Sequence, residues 1–308
     1  MMERCTMPCY RPLRAYYNGS SVVFNLRAIK FGSPIDYEEI KLPCGKCIGC
    51  RLERSRQWAF RCVAEASQHE ENCFITLTYA PEHLPSSGTL VKRDLTLFFK
   101  RLRKSLGDKP IRYFACGEYG DLGQRPHYHA IIFGHDFTDK EWQVMRSEKG
   151  FSRVGISPSL SALWPFGFSS VGKCTFESCA YVARYCLKKL LGASPEQLKA
   201  HYGERVPEYV VMSRRPGIGT DWIKRYFTDV YPADKVIVRG HECKPPRFFD
   251  KYFEKFFQED EKKCLQLAGS FANIKAERKN KALAFDLPPE RLEELETLAN
   301  LRQSRLRR

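Results

Sequence analysis

The sequence predicts an α+β fold, a central antiparallel sheet flanked by helices, with a cysteine-rich N-terminal segment and a helical C-terminal tail. Three observations carry the prediction. FITLTY (74–79), IRYFACGE (111–118) and HYHAIIFG (127–134) are short runs with the length and apolar, aromatic or β-branched content of buried strands. Between and after them lie apolar residues at helical spacing, most clearly in DLTLFFKRLRKSL (94–106). The second and third strands are joined by a glycine-containing loop, and sequential strands usually pair, so they are expected as antiparallel neighbours.

The elements follow in chain order. SSVVFNLRAIKFG (20–32) reads as early extended structure, and LERSRQWAFRCVAEASQ (52–68) as a helix whose apolar face is marked by Trp58, Cys62 and Val63. The helix from Asp94 to Leu106 is expected to stop at Gly107. Thr175 is placed to cap a helix that begins near Glu177 and carries AYVARYCLKKL (180–190). A strand, EYVVMS (208–213), and a helix, TDWIKRYFTDVY (220–231), come next. Beyond Pro288, leucines at 292, 295, 298 and 301 mark an amphipathic helix suited to docking or dimerisation, with a basic tip. The expected domains are a cysteine-rich segment over 1–50, the sheet domain over 51–235 and a basic helical extension over 236–308.

One segment imitates a nucleotide site. GFSSVGKC (167–174) matches a phosphate-binding loop except at its last position, where Cys174 stands in place of the hydroxyl that would hold Mg²⁺. The preceding WPFG is no buried strand, so nucleotide binding is not expected, and strand separation falls to supercoiling or a host enzyme.

Composition points to a polyanionic partner. The 308 residues carry 51 Lys+Arg against 36 Asp+Glu, a formal charge of +15, and a pI near 9.2, which favours nucleic acid. No run of eighteen apolar residues exists, so a membrane protein is not expected. MMERCTMPCYRP lacks the apolar core of a secretion signal, and thirteen cysteines are then expected mostly as thiols in a reducing cytosol.

The chemistry concentrates in two places. On a strand, His127 and His129 point to one face while Tyr128 points to the other. Glu118 ends the preceding strand, just before the loop YGDLGQRP (119–126) returns the chain to His127. Two imidazoles and a carboxylate with open coordination positions suit Mn²⁺ or Mg²⁺ on a phosphate better than a closed Zn²⁺ site. On the helix near 180, Tyr181 and Tyr185 are one turn apart and share a face, with Lys188 and Lys189 a turn further on. Alone, each half has an ordinary structural explanation, a surface or core histidine pair and a core aromatic stripe; together they read as a DNA-nicking site.

FITLTY, PHYHAIIF (126–133) and YVARYCLKK (181–189), in that order, with the flanks LPCGKCIGCR (42–51) and MSRRPGIG (212–219), resemble the replication initiation proteins of small single-stranded DNA phages. These are Microviridae of the gokushovirus type, within the HUH endonuclease superfamily. The resemblance covers 42–219 and implies an RRM-like or ferredoxin-like palm. It also implies a metal held by His127, His129 and Glu118, with Tyr181 or Tyr185 as nucleophile. The product is then a 5′-phosphotyrosine and a free 3′-OH primer, with two tyrosines alternating over successive genome units. The implied partners are single-stranded and supercoiled phage DNA at the origin, with host helicase and polymerase, in the bacterial cytoplasm. A non-catalytic single-stranded DNA binding protein and a related HUH transposase or relaxase are the competing readings.

Other residues complete the expectations. Cys44, Cys47 and Cys50 repeat at x2 spacing with Cys5 and Cys9 upstream, and Cys9, Cys44, Cys47 and Cys50 make a structural Zn²⁺ cage, preferred over plain thiols and over an iron–sulfur run. The other cysteines, among them Cys243, read as single core thiols. Arg214 and Arg215, with the amides of Gly217 and Gly219, are candidates for DNA phosphate contacts. Tyr113, Phe114, Trp164, Phe166 and Phe168 are candidates for base stacking.

Overall fold

The N-terminal strands β1 (Leu13–Tyr17), β2 (Val22–Val23) and β3 (Glu38–Leu42) form a small antiparallel sheet ordered β2-β1-β3. This computed structural model describes residues 9–25, 37–120, 123–147, 150–188, 194–231, 233–259, 271–280 and 287–305. Helix α1 (Ile48–Ala66) leads to β4 (Asn72–Tyr79), α2 (Lys92–Leu106), β5 (Arg112–Tyr119) and β6 (Pro126–Phe133). Then come β7 (Glu141–Ser147), β8 (Gly150–Ile156), α3 (Pro158–Leu163), β9 (Gly167–Lys173) and α4 (Phe176–Lys188). Next are α5 (Pro195–Tyr202), β10 (Tyr209–Met212), α6 (Thr220–Val230), β11 (Val236–Val238) and β12 (His241–Cys243). Three more helices are α7 (Arg247–Glu259), α8 (271–280) and α9 (Pro289–Arg305).

Seven antiparallel strands build the main sheet in the order β10-β5-β6-β4-β9-β8-β7. Period-2 alternation in β4 sends Cys73, Ile75, Leu77 and Tyr79 to one face and Phe74, Thr76 and Thr78 to the other. The first face packs on the apolar stripe Leu95, Phe98, Phe99 and Leu102 of α2. Tyr128 belongs to this layer, and its hydroxyl bonds Tyr79 at 2.8 Å and the backbone of Val91. On the second face Phe114, Cys116, Ile131 and Phe133 pack with Cys62 of α1 and Cys179 and Val182 of α4. Burial on both faces explains why β5 and β6 read as nearly continuous apolar runs.

Helix α2 stops at Gly107, whose φ of +59° is costly for other residues. The loop-like 167–174 segment is a strand, β9, paired along its length with β4, which removes the nucleotide-binding alternative. Phe114 and Trp164 are core residues, 0% and 1% exposed, which corrects their assignment to base stacking. Cys62, Cys73, Cys116 and Cys179 are buried thiols as expected, whereas Cys243 is disulfide-bonded and not a lone thiol.

The chain divides into two compact units, one of residues 54–279 and one joining 1–53 with 280–308. The larger contains the seven-stranded sheet. In the smaller, Leu292, Leu295 and Ala299 of α9 cluster with Tyr10, Cys47, Ile48 and Leu52, leaving Leu298 and Leu301 exposed. Arg11 and Glu296 close this cluster with an ion pair at 2.6 Å.

Candidate functional site

The β5–β6 register sets Glu118 directly opposite His127 and Cys116 opposite His129. Residues opposed across an antiparallel ladder share a face, so Glu118 and both histidines meet on the side away from Tyr128. Their ligand atoms lie within 4.8 Å of one another. A single Glu118 oxygen, Oε1, is 2.6 Å from His127 Nε2 and 3.2 Å from His129 Nε2.

The far nitrogens are held from behind. His127 Nδ1 is 3.0 Å from the Arg125 carbonyl, which only accepts, so this nitrogen carries a proton. His129 Nδ1 bonds the Thr76 hydroxyl at 2.9 Å. Both rings therefore direct Nε2 toward one point beside a carboxylate, the arrangement by which proteins orient metal-ligating imidazoles. Two nitrogens and one oxygen fit a divalent ion such as Mn²⁺ or Mg²⁺ that keeps positions for phosphate oxygens. Burial pushes the Glu118 carboxyl upward, but hydrogen bonds from His127 and His129 outweigh it and hold the group at about 2. Glu118 is thus a buried carboxylate at neutral pH.

Helix α4 packs over β5, β6 and β10 on this same face. Its start is fixed by a reciprocal cap. Thr175 Oγ1 accepts from the Ser178 amide at 3.2 Å, and Ser178 Oγ accepts from the Thr175 amide at 2.8 Å. One turn in, the Tyr181 ring meets the His129 imidazole edge-on, with centroids 5.1 Å apart at 86°. Phe74 stacks on the other side of His129 at 5.5 Å, and Arg184 lies over the Tyr181 ring at 5.4 Å. Tyr185 and Lys188 are in α4, with side chains outside the described ones, and Lys189 is outside the described residues.

Thr76, Phe74 and Arg184 escaped the sequence reading. Their signal was present for two of them. Positions 74, 76 and 78 alternate on the strand that pairs with β6, so Phe74 and Thr76 had to share the face of the histidines.

Arg214 and Arg215 are exposed in the turn between β10 and α6. The two glycines beside them have work within the fold. Gly219 caps α6 with φ +79°, and its amide donates to the buried Glu65 carboxylate at 2.6 Å. A Cβ on Gly217 would come within 2.9 Å of the Phe248 ring. The Gly219 amide is therefore spent on Glu65, which accounts for this position without a DNA phosphate.

The cysteine segment forms a second cluster. Sulfur atoms of Cys9, Cys44, Cys47 and Cys50 lie within 4.8 Å of one another; Cys5 is outside the described residues. Cys44 Sγ accepts from the amides of Lys46 and Cys47 at 3.4 and 3.3 Å, around Gly45 with φ +74°. Cys47 Sγ accepts from the amides of Tyr10 and Cys50, both at 3.4 Å. The Cys50 thiol and these amides hold the Cys47 sulfur in its thiolate form, well below the ordinary thiol range. Four converging sulfurs with amide support make a closed tetrahedral donor set for a metal.

A family model for replication-associated proteins of the ORF2 type matches residues 72–190, the stretch from the start of β4 past the tyrosine helix. The chain is 33% identical over 273 residues to replication-associated protein ORF2 of Spiroplasma virus 4, covering 82% of each chain. To replication-associated protein VP4 of Bdellovibrio phage phiMH2K it is 32% identical over 261 residues, 81% of this chain and 78% of the relative. To replication-associated protein ORF4 of Chlamydia phage 1 it is 30% identical over 249 residues, 76% of this chain and 61% of the relative. No solved structure matches it.

Proposed function

The chain belongs to the family of phage replication-associated proteins, and from that premise we propose that it is a rolling-circle replication initiator, a site-specific single-strand DNA endonuclease and strand transferase of the HUH, two-tyrosine type. The observation that carries the reading is the edge-on contact of Tyr181 with His129, inside the cluster of Glu118, His127 and His129. A non-catalytic DNA binder would leave this convergence without a role.

His127, His129 and Glu118 hold the divalent ion, Mn²⁺ or Mg²⁺. When bound, it supplies Lewis-acid polarisation of a non-bridging phosphate oxygen. Glu118 and the Nδ1 partners Arg125 and Thr76 keep both imidazoles turned toward the phosphate. The phenol oxygen of Tyr181 or Tyr185 attacks phosphorus in line, forming the tyrosyl–phosphate bond as the bond to the 3′ oxygen breaks. The phenol proton passes to solvent and the 3′ oxygen leaves as a hydroxyl, free to prime synthesis. Because the phosphotyrosine conserves the bond energy, a later 3′-OH reverses the step and closes a circle. Spacing of four residues on α4 lets the second phenol cut the regenerated origin while the first is loaded. Lys188 and Lys189 supply positive charge beside the phosphate, and Arg214 and Arg215 contact the DNA backbone.

The partners are then single-stranded or supercoiled phage DNA at the origin and the host helicase and polymerase, in the bacterial cytoplasm. No described helix is long and apolar enough to cross a membrane. The test is incubation with labelled single-stranded origin DNA and Mn²⁺, followed by denaturing electrophoresis. A metal-dependent covalent adduct is expected; tight binding with no adduct at any metal concentration would return the chain to a binding role.

A further inference from the structure

The face that carries Glu118, His127 and His129 continues across β4 to β9. Thr78 lies opposite His127 on one side and Phe168 on the other, and Thr76 lies likewise between His129 and Ser170. Beyond this end of β9 the sheet opens, because β8 is registered with β9 only at Gly155 and Val171. A cleft of about 330 Å³ occupies the opening, lined by Thr76, Thr78, Ser161, Phe168, Ser169 and Ser170 among others. Its wall and the histidine site are one piece, since the Thr76 hydroxyl bonds His129.

Phe168 is the unusual member. It is 66% exposed, while Phe114 and Trp164 are core and Tyr113 and Phe166 are half-buried against neighbouring aromatics. Its position is set by the main chain. Gly167 has φ +151°, and a Cβ there would stand 2.2 Å from the Ala80 amide nitrogen, so β9 begins in backbone contact with the end of β4.

We infer that this cleft holds one nucleotide of single-stranded DNA beside the scissile phosphate, with its base stacked on Phe168 and its polar edges bonded by the threonine and serine hydroxyls. The inference rests on the strand-cutting reading of the Glu118, His127 and His129 site. An aromatic face left in water beside a phosphate-handling centre suits a base, because every base offers a π-face. The hydroxyls donate and accept without adding charge, which fits base and sugar edges better than a second phosphate cluster. The cleft also lies in the size range of a small-ligand site.

The experiment uses the full chain and single-stranded oligonucleotides carrying the phage origin, with 2-aminopurine at one position at a time. The parent protein is expected to quench the fluorescence strongly at one position. Phe168→Ala should lose that quenching and bind about tenfold more weakly, yet still form adduct at saturating DNA, and Phe168→Trp should restore both quenching and affinity. Circular dichroism of each variant checks the fold, which truncation of an exposed ring leaves intact. Unchanged affinity and quenching in Phe168→Ala would overturn the inference. So would quenching that remains at every position with only the nicking rate altered. If the parent binds and quenches but never forms adduct, strand cutting fails instead, and the fluorescence still decides whether Phe168 stacks a base.

Discussion

Glu118 shows how a single side chain can be both buried and charged. Its environment withdraws solvent, and two imidazoles return more than that loss, so the carboxyl stays near 2. A group used in this way serves the reacting phosphate rather than the grip on DNA, which is distributed over a chain of charge +15. His127→Ala, His129→Ala and Glu118→Gln are therefore expected to reduce adduct formation by at least about a hundredfold while changing DNA affinity by less than about tenfold. Parallel loss of both quantities would mean a folding or binding defect. The tyrosines separate by isosteric exchange. Phe keeps the ring against His129 and removes only the nucleophile, so Tyr181→Phe and Tyr185→Phe should each retain a single cleavage or joining step but fail to process successive genome units. The double variant should form no adduct. Many rounds of processing by Tyr181→Phe, with adduct mapped to Tyr185 by mass spectrometry, would show that the two do not alternate.

Among the elements, α1 and the turn before α6 are locked together by Glu65. Its carboxylate is 3% exposed, accepts from the Gly219 amide and His69, and pairs with Arg112, whose guanidinium also donates to the Pro216 carbonyl at 2.7 Å. Burial raises this carboxyl, but the bonds from His69, Gly219 and Arg112 prevail and hold it below the ordinary 4.5. A carboxylate lowered in the folded state stabilises the fold above the ordinary range, and that contribution is lost as pH falls below it. Glu65→Gln should cost about 3 kcal/mol at pH 7, because it leaves Arg112 uncompensated. The difference from the parent should shrink in urea titrations as pH falls below about 4.5. A gap that stays constant with pH would remove Glu65 as its source. Elements of this kind were unevenly legible in sequence. β4, β5, β6 and the capped α4 were visible because strand alternation, Gly107 and Thr175 agree with the tertiary result. β9 hid behind glycines at 167 and 172, which imitate a loop. α3, six residues long, is too short for its periodicity to register. Glu118 could be placed near His127 by loop length, whereas the Glu65 lock joins residues 154 positions apart and leaves no local trace.

At the scale of the molecule, the two ends of the chain meet. The segment with Cys9, Cys44, Cys47 and Cys50 and the helix α9 form one compact unit, although more than two hundred residues separate them. The sequence shows the cysteine spacing and the leucine stripe separately; their pairing depends on tertiary structure. A unit this small buries little apolar area, with Ile48, Tyr10, Leu292 and Leu295 at its centre, so it has little to oppose the chain entropy it must lose. Four sulfurs in a closed set supply the missing stabilisation if they bind zinc, since a structural zinc contributes its binding free energy directly to folding. Purified protein is therefore expected to carry one zinc that survives dialysis against a chelator strong enough to strip Mn²⁺ or Mg²⁺, because thiolates hold zinc far more strongly than a histidine and carboxylate site holds those ions. Cys47→Ser should lose this zinc. In the same variant α9 should become sensitive to trypsin at Arg291 and Arg302, since Cys47 and the residues beside it are what Leu292 and Leu295 pack against. Zinc-free protein with α9 still protected would assign the cluster to ordinary thiols and the docking of α9 to apolar contact and the Arg11–Glu296 ion pair alone.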